Sequence, residues 1–260
     1  MFEPNESIVG MVHLPALPGA PGYEGDRTSV RERALADARA LEAGGVDAVL
    51  VENFGDAPFY PDRVPRHVVA SMTDLVGAVR GAVDVPVGVN VLRNDAETAL
   101  SVAAATGASF VRVNVHVGAR VTDQGVVEGR AHETMRLRDE LDADVAVFAD
   151  VGVKHSDALG VEDVVRETRE AAGRGRADGV VVSGAHTGGE TDTADLERVA
   201  AAADELGVPT LVGSGVTAET VRETLDTAAG VVVGTALKEG GETTAPVDPD
   251  RVAALVEAAR

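Results

Sequence analysis

Six polar side chains stand inside runs that are otherwise rich in valine, and their types are those of an acid/base site: Glu52, Asn90, Arg112, Asn114, His116 and Asp150. Successive side chains along a strand face opposite sides of it. In residues 109–117 this sets Val111, Val113 and Val115 on one face and Phe110, Arg112, Asn114 and His116 on the other. The same split turns Leu50 and Glu52 away from Val49 and Val51, and Gly88, Asn90 and Leu92 away from Val87, Val89 and Val91. It also turns Ala146, Phe148 and Asp150 away from Val145, Val147 and Ala149. A buried guanidinium without an anion is costly, so Arg112 must pair with Glu52, with Asp150 or with a bound anion. Two carboxylates beside a cation in an apolar lumen can be pushed apart in pKa and so supply both a general acid and a general base. The competing reading is a buried polar network that only fixes the interior.

Directly after these runs come Asn53, Asp56, Arg93, Asn94, Asp95, Lys154 and His155. Such residues are often only turn formers, and Asn94-Asp95 also suits a helix N-cap. Lys154 stands out because the chain has just one other lysine, Lys238. Following Asp150 so closely, it can serve as an acid, a substrate clamp or a Schiff-base nucleophile, although a lone lysine is commonly solvated. His13, at the end of the first run, is a weaker candidate. Glu52, Asp150 and His116 can also hold a divalent metal, but no fixed ligand spacing such as H-E-x-x-H is present, so a metal is left open and no other cofactor is expected.

A second kind of chemistry is written near the C-terminus. Val212 is followed by Gly213-Ser214-Gly215, and Val233 by Gly234-Thr235. Glycines after a strand let backbone N–H groups approach an anion, and a following helix adds its positive end. A third glycine-rich loop, residues 183–189, can close the other side of a ligand.

The elements that position these residues are eight short valine-rich runs, at 7–14, 47–53, 86–92, 109–117, 144–151, 178–183, 209–213 and 230–234, alternating with longer alanine-rich amphipathic stretches. That alternation predicts βα units around a parallel sheet. Eight units in 260 residues predict a single (β/α)8 TIM barrel spanning 1–260, with the site at the C-terminal ends of its strands and the phosphate loops after strands seven and eight. Residues 14–25, 53–65 and 118–129 are long loops after strands and would cover the mouth.

Composition narrows the function. A formal charge of −20, spread along the chain, excludes a nucleic-acid partner, which demands a basic stripe. So large an acid excess with so little lysine reads as adaptation to high internal salt, beyond what GC-rich coding bias would give. Without cysteine there is no disulfide and no thiolate chemistry. No apolar run is of membrane-spanning length and no leader pattern opens the chain, so a cytoplasmic location is expected.

Six segments together resemble the BtpA family: Gly10-Met11-Val12-His13-Leu14-Pro15, Val51-Glu52-Asn53-Phe54-Gly55-Asp56, Gly88-Val89-Asn90-Val91-Leu92-Arg93-Asn94-Asp95, Arg112-Val113-Asn114-Val115-His116, Thr122-Asp123-Gln124-Gly125 and Ala149-Asp150-Val151-Gly152-Val153-Lys154-His155. The resemblance runs from the first strand through the eighth. It implies a ribulose-phosphate-binding-like barrel, in a group that also takes in the SgcQ-type proteins. It further implies that Glu52, Asn53, Asn90, Arg93, Asn94, Asn114, His116, Asp123, Asp150 and Lys154 are shared polar positions. The family takes its name from a cyanobacterial member needed for photosystem I accumulation. A salt-adapted composition suggests instead a halophilic archaeal member, and that role is not carried over.

The expected function is acid/base chemistry on a small phosphorylated metabolite, a sugar phosphate or a ribosyl phosphate derived from a nucleoside, with isomerisation, lysis and glycosidic cleavage in view. Glu52, Asp150, Lys154, His116 and Asp123 form the expected catalytic set. Asn53, Asn90, Arg93, Asn94, Arg112 and Asn114 would bind substrate, and Gly213, Ser214, Gly215, Gly234 and Thr235 would hold its phosphate. The alternative is a non-catalytic biogenesis or assembly factor that keeps the barrel and binds a ligand or a protein. A homo-oligomer is left open.

Overall fold

In the computed structural model, which describes residues 2–153, 155–184 and 191–260, all eight expected runs are strands. They are β1 (Ser7–His13), β2 (Ala48–Glu52), β3 (Val87–Asn90), β4 (Phe110–Val113), β7 (Ala146–Val151), β9 (Gly179–Val182), β10 (Thr210–Val212) and β11 (Gly230–Val233), with β5 (Ala119–Thr122), β6 (Gly125–Glu128) and β8 (Asp157–Ala158) lying in a separate small sheet. The eight pair in parallel around a closed barrel, in the order β1-β11-β10-β9-β7-β4-β3-β2. This is the (β/α)8 barrel that the alternation predicts.

Helices α1 (Arg27–Ala43), α2 (Arg66–Arg80), α3 (Ala96–Thr106), α4 (Ala131–Glu140), α5 (Val164–Arg169), α6 (Thr193–Asp204), α7 (Val221–Leu225) and α8 (Pro249–Ala259) cover the outside. Five of them begin at an aspartate whose carboxylate accepts backbone N–H groups of the first turn: Asp26, Asp95, Asp163, Asp192 and Asp248. Part of the acid excess is therefore spent on capping, each cap being worth about 1 kcal/mol. Gly107 ends α3 in the left-handed conformation that a residue with a Cβ resists.

The period-2 split separates two apolar cores. Val49, Val51, Val87, Val89, Val111 and Val147 pack outward against the helices. Val9, Met11, Leu50, Phe110, Phe148, Val181, Leu211 and Val232 fill the lumen. Two glycines make room for the lumen aromatics: a Cβ on Gly88 would fall 2.2 Å from the Phe110 ring, and one on Gly179 would fall 2.5 Å from that of Phe148. Phe2 closes the lower end, its ring stacked 4.8 Å from Phe110.

The fourth strand is shorter than the pattern suggests, ending at Val113. Beyond it the backbone of Val115 is held by a side chain: Asn94 Oδ1 accepts its N–H at 2.8 Å and Asn94 Nδ2 donates to its carbonyl at 2.9 Å. Residues 118–129 form a hairpin rather than an irregular lid. Its strands β5 (Ala119–Thr122) and β6 (Gly125–Glu128) pair antiparallel, and β8 (Asp157–Ala158) adds to β5 from the loop after β7.

Candidate active site

Register decides which polar groups meet. His13 of β1 lies opposite Glu52 of β2, and Glu52 lies opposite Asn90 of β3, so three neighbouring strands put one row of polar side chains at their C-terminal ends. Asn90 Nδ2 donates to Glu52 Oε2 at 2.6 Å, and His13 Nε2 lies 3.8 Å from Glu52 Oε1. His13 Nδ1 is 3.2 Å from the Thr243 carbonyl. A carbonyl only accepts, so Nδ1 carries the proton and Nε2 is the nitrogen that faces the carboxylate. The His13 ring also packs at a tilt against Phe54, with centroids 4.7 Å apart.

Beside this row sits a fully buried ion pair. Arg112 Nε and Nη2 donate to Asp150 Oδ1 and Oδ2 at 2.7 and 3.0 Å, and Asn114 Nδ2 donates to Oδ2 at 2.8 Å. Burial works against the charge on Arg112, but attraction and hydrogen bonding to Asp150, with help from Glu52, outweigh it and hold the guanidinium above its ordinary range. Arg93 is buried as well. Desolvation leaves it below the ordinary range, although the carboxylates of Asp150, Asp123 and Glu52 pull the other way.

These groups wall one side of a cavity of about 380 Å³. Glu52, Arg93, Arg112, Asn114 and His13 line that side; Gly213, Ser214, Gly215, Gly234 and Thr235 line the other. The backbone N–H groups of Gly215, Val216, Gly234, Thr235 and Ala236 make no hydrogen bond to another described residue. Ser214 Oγ accepts the Gly184 N–H at 2.8 Å, which ties the loop after β9 to the loop after β10. Room on this side depends on missing side chains: a Cβ on Gly234 would fall 2.8 Å from His13 Cε1, and one on Gly213 would fall 3.0 Å from Arg112 Nη2.

Several expected site residues do other work. Asp150 does not line the cavity, and its two oxygens accept hydrogen bonds from Arg112 and Asn114, which do line it. Asn90 likewise supports Glu52 from outside the lining. Asn53 is structural, accepting the Leu92 N–H at 2.7 Å and donating to Asp56 at 3.1 Å. Asn94 is the Val115 clamp described above. His116 is not brought to the mouth: once the chain leaves β4 it stops following the pleat, and Nε2 meets the Gly175 carbonyl at 2.9 Å on the barrel's flank. Asp123 sits exposed at the hairpin tip, where its charge reaches Arg93 but the side chain does not line the cavity. Lys154 and residues 185–189 of the third glycine loop lie outside the described residues. Among the described residues no three His, Asp or Glu side chains gather as a metal site requires.

The pattern undervalues His13 and overlooks Phe54, Phe59 and Thr217, which also line the cavity. His13 had one readable signal: it closes a strand immediately before a long loop, as Glu52 does.

The model of the BtpA family matches residues 4–260. The chain is 45% identical to the Photosystem I biogenesis protein BtpA of Synechocystis sp. over 99% of its own length and 89% of that protein's. Its fold is similar to that of thiamine phosphate pyrophosphorylase from Pyrococcus furiosus (TM-score 0.61, 14% identity, covering 98% and 96% of the two chains). It is also similar to that of phosphoribosyl anthranilate isomerase from Thermococcus kodakaraensis (TM-score 0.57, 17% identity, 98% of each chain).

Proposed function

The chain belongs to the BtpA family, and on that premise we propose that it is an enzyme that performs acid/base chemistry on a small phosphorylated metabolite. One observation carries this reading: a single cavity has a proton-transfer wall, Glu52 with His13, facing a wall of glycine-loop N–H groups that no other described residue uses. The N–H wall takes the phosphate, at the place where α/β barrels commonly hold one. Glu52, steadied by Asn90, removes a proton from a substrate carbon or hydroxyl and passes it to the unprotonated Nε2 of His13, and the imidazolium so formed returns it to the substrate. Arg112, locked by Asp150, and Arg93 stabilise negative charge that develops between the two walls. Lys154 remains a proposed cation for the same purpose. Asn114 Oδ1 is buried without a hydrogen-bond partner, which suits a substrate hydroxyl. Both fold neighbours are named for phosphorylated compounds, which agrees with the reading without specifying a substrate.

The test is incubation with a panel of pentose phosphates and phosphoribosyl compounds in deuterated water, followed by proton and phosphorus NMR. We expect deuterium incorporation or conversion of at least one compound, competition by inorganic phosphate, and loss of turnover in Glu52→Gln and Lys154→Ala with melting unchanged. If phosphate fails to compete and both variants only lower the melting temperature, the polar wall is structural and the proposal fails.

A second reading has its own support. The Synechocystis relative is named for photosystem I biogenesis. Four of the seven exposed large hydrophobics among the described residues, Val121, Val126, Leu159 and Val161, lie on or beside the small sheet. An assembly factor would use that patch to hold a protein partner. Substituting Val126 and Val161 by Asp would then abolish the role while leaving ligand binding at the mouth intact.

A further inference from the structure

Away from the mouth, a groove of about 600 Å³ separates α4 from the turn that follows α5. Arg136 and Arg138 line it from α4, Arg174 and Arg176 from the opposite side, together with His116 and His132. The chain holds 43 acidic residues against 23 basic ones, so unpaired cations gathered in one place need a reason. In the groove Arg138 has a carboxylate, that of Asp178. Arg136, Arg174 and Arg176 have none at ion-pair distance among the described residues, and Asp139 is the one acidic residue on the lining.

Two further features point the same way. Residues Glu170–Arg174 wind as a π turn, closed by the Gly175 N–H on the Glu170 carbonyl at 2.7 Å, and Arg176 is held at φ +58, a region that a residue with a Cβ resists. His116 is 1% exposed; its Nε2–H donates to the Gly175 carbonyl, while Nδ1 has no hydrogen-bond partner. A buried polar atom of this kind calls for a ligand or a water.

We propose that this groove is a second anion site, separate from the mouth, which takes a phosphate or polyphosphate between the arginines of α4 and those of the π turn, with His116 as a further contact. Guanidinium forks match phosphate oxygens, and facing pairs can grip a ligand from two sides. Burial keeps His116 toward its neutral form, in which Nδ1 accepts. A dianion beside it favours the imidazolium, whose Nδ1–H then donates to the ligand, so occupancy takes up a proton. The titratable and charged groups that line the groove with His116 or act on its ring are His132, Arg136, Arg138 and Asp139 from α4, Arg174 from the turn, Arg176 just after it, and Asp178 from the segment ahead of β9.

Inorganic pyrophosphate, titrated into the whole protein at constant ionic strength, provides the test, read by calorimetry and by NMR of the histidine rings. His116 reports the groove and His13 reports the mouth, so the two sites are followed separately. We expect the His116 signals to move and the affinity at the groove to rise as pH falls from about 8 to about 6, the range in which histidine charges. Combining Arg174→Gln with Arg176→Gly should weaken that response about tenfold or more, two charge-assisted contacts being lost. Glycine suits the backbone at 176, so this variant should fold. The proposal is overturned if millimolar pyrophosphate leaves His116 unmoved, or if the double variant binds as the parent does. It is also overturned if light scattering shows a dimer that the double variant dissolves, since the arginines would then serve the acidic face of a second copy.

Discussion

Arg112 and Asp150 grip each other through two hydrogen bonds, 2.7 and 3.0 Å long, at a place where the arginine is 4% exposed. Removing one partner strands the other as a buried charge. Asp150→Asn should therefore cost about 3–5 kcal/mol, whereas the paired change Arg112→Met with Asp150→Leu should recover much of that loss. Urea midpoints of the three proteins decide the matter: a single variant as stable as the parent would show that solvent reaches the pair. Neither form should turn over substrate, because both lose the fixed cation.

Glu52→Gln is the opposite kind of change. Glutamine keeps the shape and still offers an oxygen to Asn90 Nδ2, now 2.6 Å from Glu52 Oε2, so stability should stay within about 1 kcal/mol of the parent. Proton transfer has no such substitute, and turnover should fall about 100-fold or more. Equal losses of stability and activity would assign Glu52 to the scaffold.

Gly234→Ala tests whether His13 must stay where it is. The new Cβ would lie 2.8 Å from Cε1 and 3.3 Å from Nε2 of that ring, and the ring would have to leave its present position beside Glu52. We expect kcat to fall with little change in melting temperature, and the proton signals of the His13 ring to shift. Unchanged kcat would remove His13 from the mechanism.

These experiments address geometry that the sequence conveys unevenly. The inward row was legible because a strand of period two cannot put Val49 and Val51 outside without putting Leu50 and Glu52 inside. The same rule failed at His116, because it holds only while the ladder lasts. The ladder stops at Val113, where the Asn94 amide takes over the backbone of Val115. His13 was undervalued because the group that fixes its ring, the Thr243 carbonyl, lies 230 positions away, and no local pattern carries that contact. The two glycine loops could be read as turns but not as one surface, since their meeting depends on barrel closure.

Salt should stabilise this protein. With a net charge of −20, self-repulsion opposes the compact state, and added ions shorten its reach from about 10 Å at 0.1 M to about 3 Å at 1 M. The melting temperature should climb with KCl, most steeply at the low end. A flat or falling curve would mean that the carboxylates are already compensated by pairing and capping, and the inference of salt adaptation would fall with it.

Lys238 is a buried cation paired with Asp37. Its side chain is 0% exposed, with Nζ 3.2 Å from Asp37 Oδ2, and it anchors the loop after β11 that carries Gly234 and Thr235. Desolvation lowers its pKa from 10.5, only partly offset by Asp37. Between the lowered folded value and 10.5 the unfolded chain binds more protons than the folded one, so stability from this residue rises with pH across that window. Below the window the burial penalty of the charged ammonium is fully present. Lys238→Met should remove the rise. Asp37 would not be stranded, because Arg33 Nε at 3.0 Å and the Val247 N–H at 2.9 Å still serve it. Denaturation of parent and variant at a series of pH values should therefore give curves that differ most near neutrality and converge toward pH 10.5. Parallel curves would mean that the ammonium pays no net penalty for burial, and that the ion pair with Asp37 alone holds the loop in place.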